Sequence, residues 1–164
     1  MTNICSCPPE AGSGTCDLRI SVPASSCPVC LKTGKSVDSL TLKALLNMPL
    51  TEVRSVEYSF CRTLDCPVVY YSEDAIQTFL ESDLRERVYQ KHMAEEHVFV
   101  CYCFRYTVGS IKAEFFRKHA STVVEAINAG IQEGQCACDI RNPQGSCCLG
   151  NVRSIVKQLE NFEL

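Results

Sequence analysis

Residues 1–26 have no apolar period. Pro8-Pro9, Gly12, Gly14, Pro23 and Ser25-Ser26 interrupt them, which is the composition of a disordered tail. Between residues 39 and 48 the pattern turns helical, with Leu40, Leu42, Leu45 and Leu46 on one stripe and Asn47-Met48-Pro49 as its stop. Residues 56–60 then alternate as a strand does. Pro67-Val68-Val69-Tyr70-Tyr71 is β-branched and aromatic, so the two runs form a hairpin with residues 61–66 in its turn. Ser72-Glu73-Asp74 is a further turn, and residues 75–80 and 85–89 are additional strand candidates. The charged residues 91–96 are expected to be a linker.

Beyond the linker the spacing becomes mainly helical. A short apolar strand, Val98-Phe99-Val100, comes first. Thr107 fits the N-cap of a helix that turns Ile111, Phe115 and Phe116 inward and runs to about residue 119. Ser121 fits the cap of a second helix carrying Val123, Val124, Ile127 and Ile131, with Gly134 as its stop. Residues 135–148 are expected to be an irregular loop turning at Asn142-Pro143-Gln144-Gly145. A last helix, residues 150–161, places Val152, Ile155, Val156 and Leu159 on one face. The expected class is α+β: a small β-hairpin module at 27–90, then a small helical module at 98–162.

Composition changes this picture at one point. With 164 residues, 46% hydrophobic content and a net charge of -3, the chain reads as globular, without the basic patch nucleic acid demands. No window approaches the roughly 18 apolar residues of a membrane span. Met1-Thr2-Asn3-Ile4-Cys5 has neither the basic nor the apolar part of a secretory signal, so a cytoplasmic protein is expected. The unusual number is thirteen cysteines. The count is odd and nothing points to an oxidising compartment, so metal thiolates are favoured over disulfides.

The spacing of the cysteines separates two centres. Cys27-Pro28-Val29-Cys30 and the pair Cys61/Cys66, with an intervening element between them, have the form of two knuckles closing a four-thiolate zinc tetrahedron. A redox dithiol at Cys27/Cys30 would need a preceding strand and a helix opening at the second cysteine; a tail and a Gly34-containing turn stand there instead. A module this small has a thin core, for which zinc supplies the missing stability. Downstream, Cys101-Tyr102-Cys103 directs its two thiols to one side of an extended chain, suited to gripping one iron of a [2Fe-2S] cluster. The other two ligands come from Cys136, Cys138, Cys147 and Cys148. Cys5, Cys7 and Cys16 in the tail read as reduced thiols without a role. His97 reads as a surface residue.

Two resemblances sharpen the assignment. Cys101-Tyr102-Cys103-Phe104, followed by a Thr-capped helix and distal cysteines, resembles the bacterioferritin-associated ferredoxin-like [2Fe-2S] domain. The order of a Cys-Pro-x-Cys knuckle, a Phe-Cys-x4-Cys hairpin with Val-Val-Tyr, a Cys-Tyr-Cys and an Asn-Pro-x-Gly-x-Cys-Cys segment resembles the N-terminal zinc and [2Fe-2S] domain of CopZ-type copper chaperones. That resemblance implies zinc at Cys27, Cys30, Cys61 and Cys66, and the cluster at Cys101, Cys103, Cys138 and Cys148. Leu31 departs from it, standing where the family's knuckle often has Gly. The sequence up to Leu164 contains no Gly-Met-x-Cys-x-x-Cys copper loop. The expected function is a one-electron, metal-handling carrier that helps reduce or deliver copper to a separate chaperone or copper-transporting ATPase. The alternative is a binding module that docks on a ferritin-like metal store as sensor or electron relay. No nucleophile-base pair, nucleotide loop or paired-carboxylate motif supports other enzyme chemistry.

Overall fold

The computed structural model describes residues 26–162. The expectation of a disordered tail with Cys5, Cys7 and Cys16 lies almost wholly outside the described residues.

Four short strands form one antiparallel sheet in sequence order: β1 (Lys35–Val37), β2 (Tyr58–Phe60), β3 (Val68–Ser72) and β4 (Thr78–Leu80). The expected hairpin is β2 and β3, paired Tyr58 to Ser72 and Phe60 to Tyr70, with Cys61 and Cys66 in its turn. β3 is buried along its whole length. Val68 and Tyr71 pack with Cys27, Cys61 and Cys66, while Val69 and Tyr70 join Leu42, Leu46 and Phe60 in a second cluster. A register shift opposite β4, between Val68 and Tyr70, breaks the alternation and lets one strand serve both. At roughly 1.5–3 kcal/mol for each large side chain removed from water, these residues are the main apolar stabilisation of this half.

Helix α1 (Ser39–Leu45) lies after β1, capped by the Asp38 carboxylate, which accepts from the Leu40 N–H at 2.7 Å. Its buried face is Thr41, Leu42 and Leu45, continued by Leu46. Leu40, expected on that stripe, is 53% exposed. The i, i+3, i+4 spacing of 42, 45 and 46 defines the face, and Leu40 falls off it. β1 was not expected, since three residues after a glycine turn carry too little period to read. Residues 85–89 do not form a strand. Leu84 makes a single bridge to Leu46, the Arg85 N–H donates to the Leu45 carbonyl at 2.9 Å, and 3₁₀ turns occupy Glu81–Asp83 and Tyr89–Lys91.

In the second half, β5 (Phe99–Cys101) pairs with β6 (Tyr106–Thr107), and Thr107 opens α2 (Val108–Lys118). Its hydroxyl accepts from the Ser110 N–H at 3.0 Å while Ser110 Oγ accepts from the Thr107 N–H at 2.9 Å. Ile111 and Phe115 are buried, but Phe116 is 58% exposed, being roughly 140° round the helix from Ile111. Helix α3 (Val123–Gln132) begins one residue later than expected, with Thr122 at its N-cap, although Ser121 Oγ still accepts from the Val123 N–H at 3.4 Å. Gly134 ends it at φ +71°. Helix α5 (Leu149–Phe162) buries Val152, Ile155, Val156 and Leu159 as expected.

A four-residue helix, α4 (Cys138–Arg141), lies inside the expected loop; one turn is too short to show a period. It packs against α1, so the two halves meet there. Around that contact the Tyr70 hydroxyl donates to the Pro143 carbonyl at 2.6 Å and Lys35 Nζ donates to Ser146 Oγ at 2.7 Å. Lys91 Nζ donates to the Thr63 carbonyl at 2.7 Å, within the hairpin turn. Tyr102, between the two cysteines of its motif, accepts from the Tyr89 N–H at 3.0 Å and donates to the Arg87 carbonyl at 2.7 Å. Residues 91–96 are therefore tied down on both sides. His92 contacts Glu81 at 2.6 Å and Glu95 at 2.7 Å.

Candidate metal centres

The hairpin turn and the Cys27–Cys30 turn face each other. All four sulfurs of Cys27, Cys30, Cys61 and Cys66 lie within 4.8 Å of one another. Cys27 Sγ is 3.8 Å from Cys66 Sγ, and Cys30 Sγ is 3.6 Å from Cys61 Sγ. Two sulfurs bound tetrahedrally at ~2.3 Å from one zinc are about 3.8 Å apart, so the set fits zinc without rearrangement. Local structure explains the convergence. The Cys27 carbonyl accepts from the Leu31 N–H at 2.9 Å, closing the first turn, and Leu31 adopts φ +60° there. A left-handed residue is required at that point, and leucine takes it at some steric cost. Gly34 follows; its N–H donates to the Tyr71 hydroxyl at 2.8 Å, and a Cβ on it would collide with that hydroxyl.

The thiols are electrostatically uneven. Burial pushes Cys30 up, but Thr63 Oγ1 at 3.3 Å, the Lys32 backbone and the Cys61 and Cys27 thiols together bring it down to about 6. Burial pushes Cys66 up to about 12 and raises Cys27 as well. A cation must therefore displace protons to bind all four, which couples metal capture to folding.

The second group lies where β5, α4 and the start of α5 meet. Cys103 Sγ is 3.7 Å from Cys138 Sγ and 4.0 Å from Cys136 Sγ, and Cys136 and Cys138 are 3.5 Å apart. Cys148 is the hydrogen-bonding partner of both Cys101 and Cys138. The sulfurs thus form a chain Cys101, Cys148, Cys138, Cys103, with Cys136 beside the last two. Cys101 and Cys103 each reach a distal cysteine, Cys101 meeting Cys148 and Cys103 meeting Cys138 and Cys136. Cys101 and Cys148 are fully buried, Cys138 nearly so, and Cys103 and Cys136 are half-buried. Cys147 is exposed.

Hydrogen bonding with Cys148 holds Cys138 down to about 5 and lowers Cys101, while the Cys148 thiol is strongly raised by the same contacts. Burial pushes Cys103 up to about 12 and raises Cys136. Backbone N–H groups put partial positive charge beside these sulfurs. Ala137 N–H donates to Cys103 Sγ at 3.3 Å, and Cys148 immediately precedes α5, its carbonyl accepting from the Asn151 and Val152 N–H groups at 2.9 and 3.2 Å. Cys101 and Cys103 precede α2, with β6, which ends in the Thr107 cap, between them and the helix. Arg105 pairs with Glu86 at 3.1 Å and lies 3.9 Å over the Phe99 ring, and Lys112 pairs with Glu96 at 3.3 Å. Phe104 packs against Gly130 of α3, where a Cβ would strike its ring, and so anchors the residue after Cys103. His97 is exposed. Thr63 beside Cys30 was not anticipated; a hydroxyl inside the knuckle was the available signal.

These features define a cysteine-based metal-binding protein of the α+β class. Residues 24–85 match a family described as a zinc binding domain, of the CopZ type. The copper chaperone CopZ of Archaeoglobus fulgidus is 36% identical over 124 residues, which is 74% of this chain and 57% of that protein. The X-ray structure of the A. fulgidus CopZ N-terminal domain matches with a TM-score of 0.66 at 30% identity, covering 79% of this chain and 96% of the domain. The chain belongs to the family of CopZ N-terminal domains, and carries its zinc-binding domain. It spans 57% of the length of the curated relative. Among the described residues no helix is long and apolar enough to cross a membrane.

Proposed function

We propose that the chain is a cytoplasmic metal-handling protein with two centres. Cys27, Cys30, Cys61 and Cys66 hold a structural zinc that folds residues 27–90. Cys101, Cys103, Cys138 and Cys148 hold a [2Fe-2S] cluster in residues 98–162. The observation that carries the second assignment is the continuous chain of four sulfurs, two buried at the Cys101/Cys148 end and the Cys103 end nearer solvent. Four thiolates, two to each iron, are what such a cluster requires.

When bound, the cluster supplies one-electron transfer. The chain supplies the rest: β5 and α5 bury one pair of thiols, the Ala137 N–H and the start of α5 offset negative charge, and Cys103 brings the other end within reach of a partner. The copper assignment rests on the relative's identity as a copper chaperone. In this reading the electron reduces Cu(II) to Cu(I) for delivery to a separate copper carrier or a copper-transporting ATPase. The test is anaerobic mixing of dithionite-reduced protein, freed of excess dithionite, with Cu(II) and a Cu(I)-specific chelator. Stoichiometric Cu(I) formation coupled to reoxidation of the visible bands supports the reading. A rate no faster than that of the Cys103→Ser variant, whose other thiols remain but whose cluster is lost, contradicts it.

A further inference from the structure

The proposed ligand set leaves Cys136 and the exposed Cys147 unused, and the position of Cys136 is not that of a bystander. Its sulfur is 3.5 Å from Cys138 and 4.0 Å from Cys103, while those two are 3.7 Å apart. The three sulfurs form a nearly equilateral triangle. Cys103 with Cys136 therefore spans almost the same gap as Cys103 with Cys138, close to the ~3.8 Å separation of two thiolates on one tetrahedral metal.

A fifth thiolate cannot simply add to the site. Each iron of a [2Fe-2S] unit is tetrahedral and already carries two bridging sulfides, which leaves two places for protein sulfur. Cys136 can enter only by replacing a neighbour. The backbone is arranged for such a replacement. Residues 135–137 lie between the end of α3 and the start of α4, so Cys136 belongs to neither helix. The segment is held at both ends, by Gln135 N–H donating to the Gly130 carbonyl at 2.9 Å and by Ala137 N–H donating to Cys103 Sγ at 3.3 Å. Rotation of side chains then suffices, with no displacement of the chain. At the opposite end, Cys101 and Cys148 are buried with no spare thiol in a comparable group among the described residues.

We infer that Cys136 is an exchange ligand, which takes the place of Cys138 beside Cys103 when Cys138 is withdrawn. This rests on the [2Fe-2S] reading proposed above. In the exchange an iron–sulfur bond to Cys138 breaks and one to Cys136 forms. The Cys136 proton passes to the departing Cys138 thiolate, so neither the charge of the site nor the oxidation state of the iron changes. Exchange is confined to the half-buried end, and it keeps the cluster attached when one of its ligands is lost.

The test compares full-length Cys136→Ser, Cys138→Ser, the double variant and Cys148→Ser, purified anaerobically, by iron content and visible circular dichroism. Zinc content and far-ultraviolet circular dichroism verify folding. The expected results are a wild-type spectrum for Cys136→Ser, full iron with a shifted spectrum for Cys138→Ser, and loss of iron in the double variant and in Cys148→Ser. Folded Cys138→Ser that has lost its iron, or that matches the double variant, overturns the inference. So does Cys138→Ser with an unshifted spectrum, because Cys138 would then not be the resting ligand. A second measurement needs no change at Cys138: the cluster of Cys136→Ser should be lost to an iron chelator several-fold faster than that of the wild type, since a released iron is not recaptured. Equal rates overturn the exchange. Wild-type protein without iron would instead sink the underlying cluster reading.

Discussion

Replacing Tyr70 with Phe removes one oxygen at the junction of the two halves. Tyr70 has no exposed surface, and burial raises its hydroxyl well above the usual phenol range, so at neutral pH the group is a neutral donor. Its partner, the Pro143 carbonyl at 2.6 Å, lies in the buried turn that leads to Cys148. Phe fits the same space, so no cavity term enters. What is lost is a hydrogen bond worth a net 0.5–1.5 kcal/mol, about 1, plus any desolvation of the carbonyl left unpaired, which brings the total to about 1–3 kcal/mol. The β3 packing of Val69 and Phe60 is untouched, so zinc content should not change. The assay is urea unfolding of the fully metallated protein, followed by far-ultraviolet circular dichroism. The variant should unfold at lower urea with an unchanged slope, since the surface exposed on unfolding is the same. Cluster loss to chelator should also be faster, because the turn before Cys148 is loosened. A Tyr70→Phe protein within about 0.3 kcal/mol of wild type would refute the view that this bond ties the halves together, since a mutation at a site free of such features costs no more than ~0.5 kcal/mol.

Three further outcomes follow from particular side chains. Gly130→Ala places a methyl against the Phe104 ring and must displace it; a shifted cluster spectrum with unchanged zinc content is expected, measured by visible circular dichroism and metal analysis. Leu31→Gly relieves a left-handed leucine, worth ~1–2 kcal/mol, against the ~0.4–1 kcal/mol that added freedom of the unfolded chain costs, so the zinc half should gain up to about 1.6 kcal/mol in urea unfolding. Glu114 is held below the usual carboxylate range by hydrogen bonds from Lys118 and Thr122, Lys118 Nζ lying at 2.8 Å and Thr122 Oγ1 at 2.8 Å. A lowered folded pKa gives stability that is present above the unfolded value of ~4.3 and is lost as pH falls through the folded one. Glu114→Gln should therefore cost about 0.5 kcal/mol at neutral pH, a difference that closes below about pH 4, as read from urea midpoints across pH.

Legibility of the sequence followed the length of each pattern. α2, α3 and α5 repeat their apolar spacing over several turns, and their caps at Thr107 and Gly134 are chemical signals, so their limits were readable to within a residue or two. β1 and α4 are a few residues long and carry no period. Their existence is decided by tertiary contacts, β1 by pairing with β2 and α4 by packing on α1. Leu40 and Phe116 show the limit of a hydrophobic-stripe reading. Each is apolar and helical, and each points away from a face that only the neighbouring element fixes. The first cysteine group could be read from spacing, because two short knuckles on one hairpin have few ways to close. The second could not be resolved in the same way. Four distal thiols lie within thirteen residues; the start of α4 brings Cys138 to Cys103, and the start of α5 brings Cys148 to Cys101. The contacts joining the halves, Tyr70 to Pro143 and Lys91 to Thr63, link residues distant in sequence through single hydrogen bonds and leave no pattern at all.

The central claim is that one chain holds two chemically different metal centres. Its most direct test is iron and zinc analysis of anaerobically purified protein together with its visible absorption. About two irons and one zinc per chain are expected, with colour that bleaches on dithionite reduction, as four-thiolate clusters of this type require. A colourless protein with two zincs per chain, one at each thiol group, would contradict it.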